Sequence, residues 1–251
     1  MKLNITKILK FNLFCLFLFI SQFALAITVN LGSIPLNNSE TTINSDIEAH
    51  DPWSLQQTVD GNFGGERIFN GWSYIPDSDP HSITWTWQDS PTPTLAENQR
   101  VDYYTYSISL HNGWTERHNF REYTLSAGNS DDTNGLNLVT NYESVTNRQS
   151  NTISVDSNGT VTTTQPPGDS GIFDIQTLTF RSDTVVDSIM ITFAPVPGWG
   201  YGNEFGEFFV LSEITGTVTA EVSEVPEPST YALLLGFISF VVVAFKKRIK
   251  A

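Results

Sequence analysis

The chain has 251 residues with 27 acidic side chains against 13 basic ones, a formal net charge of −14 at neutral pH, and a single cysteine. An acidic excess of this size argues against binding nucleic acid or anionic lipid, both of which draw affinity from counterions released to Lys and Arg. One cysteine cannot build a disulfide framework.

Lys2, Lys7 and Lys10 precede an apolar stretch from Phe11 to Ile20, and Ala24-Leu25-Ala26 supplies a small-x-small site. This pattern is a secretory signal peptide covering residues 1–26, removed after Ala26. Ser21 and Gln22 interrupt the apolar stretch, which argues against a spanning helix. The single cysteine, Cys15, lies inside it, so the exported protein carries no thiol.

From residue 27 to 220 helical periodicity is nearly absent, and apolar residues alternate with polar ones at a period of two. Ile83/Trp85/Trp87, Tyr104/Tyr106/Ile108/Leu110, Arg121/Tyr123/Leu125, Ile189/Ile191/Phe193 and Val210 with Ile214 each mark one face of a predicted strand. Turn residues separate them, as in Asp60-Gly61-Asn62, Pro91-Thr92-Pro93, Asn134-Gly135, Asn158-Gly159 and Pro166-Pro167-Gly168. Many short strands joined by polar turns predict an all-β antiparallel sandwich or barrel over residues 27–220. A stretch of about 200 residues is long enough for one sizeable core.

Residues 221–230 read as a Glu/Pro stalk that contains Pro226-Glu227-Pro228. The apolar run Tyr231–Phe245 counts 15 residues, or 17 with Ser229 and Thr230, which is the short limit for one C-terminal transmembrane helix. Lys246-Lys247-Arg248-Ile249-Lys250 in the tail 246–251 resists translocation and predicts a cytoplasmic end. The Pro-Glu-Pro tripeptide, apolar helix and basic tail together resemble the PEP-CTERM sorting signal. The resemblance implies export to the periplasmic face of the inner membrane and cutting near the tripeptide by an exosortase. It also implies a destination at the cell surface or in the exopolysaccharide matrix of a biofilm.

Without the two tails the charge changes character. Seven of the 13 basic residues leave with them but only Glu227 of the 27 acids, so residues 27–225 keep six Arg, no Lys and 26 carboxylates. A formal charge of about −20 favours solubility and divalent cations.

Three segments resemble the discoidin, or galactose-binding-like, jelly roll of many carbohydrate-binding modules. They are Val59-Asp60-Gly61-Asn62 with Gly71-Trp72; Phe120-Arg121-Glu122-Tyr123-Thr124-Leu125-Ser126-Ala127-Gly128-Asn129-Ser130; and Phe209-Val210-Leu211-Ser212-Glu213-Ile214-Thr215-Gly216. The chain departs from the pattern at Asp131-Asp132-Thr133-Asn134-Gly135 and at Leu136, where the family usually has Trp. The resemblance implies a jelly-roll β-sandwich with ligand loops at one end. It further implies a structural calcium ion between the early loop and the last strand, on Asp60, Asn62 and Glu213.

Two segments carry the chemistry that a sugar needs, an aromatic face for its C–H ridge beside groups that pair with hydroxyls. One is His111 to Asn119, with His111, Trp114 and Arg117; the other is Pro197 to Glu204, with Trp199, Tyr201 and Asn203. Packed Trp residues plugging the core are the competing reading, and sequence does not tell whether the two segments share an end. Asp131 and Asp132 read as a solvated turn.

Catalytic patterns are missing: there is no nucleophile elbow, no His-Glu-x-x-His and no phosphate loop. The expectation is a noncatalytic exported protein that binds a glycan. The alternatives are a structural envelope protein with a protein partner, or a glycoside hydrolase using Glu204 and Glu207.

Overall fold

The computed structural model describes residues 26–37, 39–45, 55–61, 80–111, 122–132, 135–147, 152–164, 175–194, 211–225 and Gly236. The strands among them are β1 (Ile27–Ser33), β2 (Thr41–Ser45), β3 (His81–Trp87), β4 (Gln99–His111), β5 (Glu122–Gly128) and β6 (Asn137–Leu138). They continue with β7 (Tyr142–Asn147), β8 (Thr152–Val155), β9 (Val161–Thr164), β10 (Ile175–Ser182), β11 (Ser188–Phe193) and β12 (Glu213–Glu224). A 3-10 turn, Leu55–Val59, follows β2.

One sheet runs in the order β1-β12-β4-β10-β7, and the other in the order β2-β3-β11-β5-β9-β8 with β6 beside β5. The pairings of β10 with β4 and β7, and of β11 with β3 and β5, are antiparallel. From β3 to β5 and again from β10 to β12, each long strand crosses to the opposite sheet. Such alternate crossing is the wiring of a jelly-roll sandwich.

Two-residue alternation explains the core. Ile83, Trp85 and Trp87 of β3, Tyr104, Tyr106, Ile108 and Leu110 of β4, and Ile189, Ile191 and Phe193 of β11 are all buried, as expected from the sequence. Tyr123 and Leu125 of β5 join them, together with Leu178 and Phe180 of β10. Polar groups inside are paired across the layers: Tyr123 Oη donates to Gln176 Oε1 at 2.8 Å, and Gln176 Nε2 to Thr163 Oγ1 at 3.1 Å. Trp85 Nε1 likewise reaches Thr58 Oγ1 in the 3-10 turn at 3.0 Å. These bonds satisfy groups whose unpaired burial would be costly.

At the Asn158-Gly159 turn, Gly159 has φ +77° and a Cβ there would lie 2.1 Å from the Val139 carbonyl oxygen. Only glycine fits such a position.

The chain divides into two compact units. The larger, Asn30–Pro93 with Tyr103–Ala220, carries the sandwich core and the residues of the candidate site. The smaller draws its described residues from Ala26–Val29, Thr94–Asp102 and Glu221–Val225 with Gly236. In it Val225 N donates to Asn98 O at 2.6 Å, and Thr28 Oγ1 to Glu221 Oε2 at 2.7 Å.

β12 runs on to Glu224, and its Val222 keeps the alternation going and is buried. Residues 1–25, Pro226, Glu227, Pro228 and the run 231–245 apart from Gly236 lie outside the described residues. Among the described residues no helix is long and apolar enough to cross a membrane.

Candidate functional site

Of the nine expected ligand and metal residues, His111, Asp60 and Glu213 are among those described, and the structure gathers them at one end of the sandwich. β4 ends at His111, and its carbonyl oxygen accepts two bonds from Ser212, from the backbone N at 2.8 Å and from Oγ at 2.9 Å. Ser212 immediately precedes β12. The departure point of one aromatic segment is therefore fastened to the arrival point of the other.

A second bond to this joint comes from the early loop. Gly61 N donates to Glu213 Oε1 at 3.2 Å, which brings the Asp60-Gly61 turn onto the first residue of β12. Glu213 is 1% exposed, whereas Asp60 is exposed. Gly61 takes φ +78°, a conformation that glycine adopts without the Cβ penalty.

His111 Nε2 and Thr215 Oγ1 are hydrogen-bonded at 3.0 Å across the same two strands. Burial lowers the imidazole pKa below its ordinary value, so the ring is neutral at pH 7. A neutral imidazole offers both a donor and an acceptor nitrogen, and Thr215 engages one of them.

Strand registers complete the rim. Phe193 at the end of β11 pairs with His81 at the start of β3 and with Tyr123 near the start of β5, while Ile175 at the start of β10 pairs with His111. Ala194 N donates to Glu122 O at 3.0 Å. The segments 62–79, 112–121, 165–174 and 195–210 thus all leave from, or return to, this end. Trp114, Arg117, Trp199, Tyr201, Asn203 and Asn62 fall on these segments and lie outside the described residues, as do Glu204 and Glu207.

Ser212 and Thr215 were not legible as site residues. Thr215 is visible as the polar neighbour of Ile214 in an alternating strand, but its pairing with His111 depends on β12 lying beside β4. Among the described residues no group of three or more His, Cys, Asp or Glu side chains is placed to hold a metal. Asp131 and Asp132 are exposed turn residues, with Gly135 N donating to Asp132 O at 3.0 Å.

No family model and no curated protein matches the chain. Similar solved structures include CpGH89CBM32-4, produced by Clostridium perfringens, in complex with glcNAc-alpha-1,4-galactose: 12% identity, 74% of this chain and 94% of that one covered, TM-score 0.33. A second is that of the CBM32-1 and CBM32-2 domains from Clostridium perfringens ZmpB, at 12% identity, with 74% of this chain and 36% of that chain covered and a TM-score of 0.35. At such scores the likeness assigns no residue and no ligand to this chain.

Proposed function

We propose that this chain is an exported, noncatalytic glycan-binding protein whose ligand is gripped at the end of the sandwich from which the aromatic segments leave. One observation carries the reading: the Ser212 N to His111 O bond at 2.8 Å fastens the root of one aromatic segment to the root of the other. Chain length then limits where the aromatic residues can go. Trp114 is three residues from His111 and Trp199 five from Ala194, so their Cα atoms stay within about 11 Å and about 18 Å of those anchors. Two indoles, with Arg117, Tyr201 and Asn203 on the same segments, provide the stacking faces and hydroxyl partners that a sugar requires.

A calcium ion at the same end is part of the proposal. Asp60, Asn62 and Glu213 offer the hard oxygen donors that calcium prefers, and the Gly61 to Glu213 bond holds loop and strand together. Remaining ligands would come from backbone carbonyls of the 60–62 turn. The ion would stiffen the loop, not act on the ligand.

Export rests on residues 1–26 and sorting on Pro226-Glu227-Pro228 with the run 231–245. In this proposal an exosortase cuts near the tripeptide, and the protein passes from the membrane to the surface or the biofilm matrix.

The mature protein extracted from its own envelope and applied to a glycan array and to immobilised exopolysaccharide tests the reading. Retention on a defined class of glycan is the expected result. Failure on both supports would leave an envelope protein with a protein partner. Release of sugar that disappears in Glu204→Gln or Glu207→Gln would make the chain a hydrolase.

A further inference from the structure

The outward face of β4 carries a continuous polar track that the loop end alone does not explain. Residues 103, 105, 107, 109 and 111 alternate with the buried Tyr104, Tyr106, Ile108 and Leu110, so they share the outer face and are partly exposed. Three of these side chains are hydrogen-bonded to neighbouring strands: Ser107 Oγ with Thr179 Oγ1 at 3.1 Å, Ser109 Oγ with Thr177 Oγ1 at 2.8 Å, and His111 Nε2 with Thr215 Oγ1 at 3.0 Å. At the far end Arg181 places its guanidinium 4.2 Å over the centroid of the Tyr103 ring and forms an ion pair with Glu143 of β7.

The eight residue-to-residue steps from Tyr103 to His111 span about 27 Å. Hydroxyls paired in this way are held in place yet keep lone pairs for further bonds. Arg181 is 50% exposed although both the ring and the carboxylate hold it, so its donors are positioned before a ligand arrives and lose little freedom on binding. The Arg181–Glu143 pair itself carries no net charge, in a protein whose excess is acidic. Among the described outward residues of β4, the hydroxyls, one aromatic ring and one imidazole are groups that pair with a hydroxylated polymer.

We propose that the ligand is an extended neutral polysaccharide which runs from the loop end along the outer face of β4 to Tyr103 and Arg181, not a single sugar at a chain tip. This inference rests on the glycan reading for its class of ligand, and the test is chosen to separate the two.

Hydroxyl-radical footprinting of the full-length protein, read by mass spectrometry, would use galactomannan, a soluble β-glucan and exopolysaccharide from the producing cells as probes. Protection of Tyr103 together with Trp114 and Trp199 is the expected pattern. Protection confined to Trp114 and Trp199 overturns the track while sustaining the loop site; absence of protection overturns both. In affinity electrophoresis with the same polymers, Tyr103→Ala and Arg181→Ala should each weaken retention about tenfold and Tyr103→Phe should restore most of it. Unchanged retention in both alanine variants, with melting unaltered, would also overturn the track. Short oligosaccharides of the retained polymer should be insensitive to these changes.

Discussion

Gly61 N and Glu213 Oε1 are joined at 3.2 Å although 152 positions separate them, and the carboxylate that accepts the bond is almost fully buried. Removing it leaves a backbone donor without this acceptor in a partly buried place. Glu213→Ala should lower stability by about 1–3 kcal/mol, and Glu213→Gln, which keeps an acceptor oxygen, by less. Calcium, bound as proposed, would raise wild-type stability by about 2.7 kcal/mol at a hundredfold excess over its dissociation constant. Thermal melting of all three proteins in chelator and in millimolar calcium checks this, and an equal melting temperature in both solutions would remove calcium from the proposal.

Alkaline stability should report on Tyr106. Its hydroxyl accepts the Val186 N–H at 2.8 Å, and burial pushes its pKa up to about 12. Tyr142 is raised to about 12 for the same reason. A folded pKa above the unfolded value of 10 means that the stabilising contribution is complete below pH 10 and is lost as pH rises towards 12. For Tyr106 the loss amounts to about 1.4 kcal/mol per pH unit in that window. Tyr106→Phe should start out about 1–3 kcal/mol less stable at pH 8, because Val186 N–H loses its acceptor, and then decline less steeply than wild type above pH 10. Parallel curves for the two proteins would contradict this assignment.

Tryptophans should sort into two groups. Trp85 is fully buried, so Trp85→Ala should cost about 3–5 kcal/mol of stability. Trp114→Ala and Trp199→Ala, by contrast, should weaken binding to immobilised exopolysaccharide by about 1–3 kcal/mol and hardly move the melting temperature. Loss of stability with normal binding in the latter two would identify them as packed plugs and displace the proposed site.

Processing provides a further check. Intact-mass analysis of surface-extracted protein should show loss of residues 1–26 and, in cells with an exosortase, a new end near Pro226-Glu227-Pro228. A full-length cytoplasmic product as the main species would defeat the sorting proposal.

The faces of β3, β4, β5 and β11 were legible because strict alternation of large apolar residues with hydroxyls leaves only one way to bury them. β2 and β9 were not: Thr41-Thr42-Ile43-Asn44-Ser45 and Val161-Thr162-Thr163-Thr164 contain one apolar residue each, and they become strands through their partners β3, β5 and β8. Glu221 to Glu224 read as a stalk because the two Glu dominate the composition; in the structure β12 runs to Glu224 with Val222 buried. At the candidate site, Asp60 and Glu213 were nominated through a family resemblance and His111 through its aromatic neighbours. That His111 and Ser212 meet could not be read locally, because it depends on which strand lies beside which.

Mechanical load falls on β12 in a particular way. The strand that leads to the C-terminal tail lies between β1 and β4, not at an edge. Tension applied through residue 225 therefore acts along a strand bonded on both sides, and its two ladders must slide together before either gives way. An edge strand would instead peel one bond at a time. A pull on this terminus is therefore resisted by shear, not by peeling.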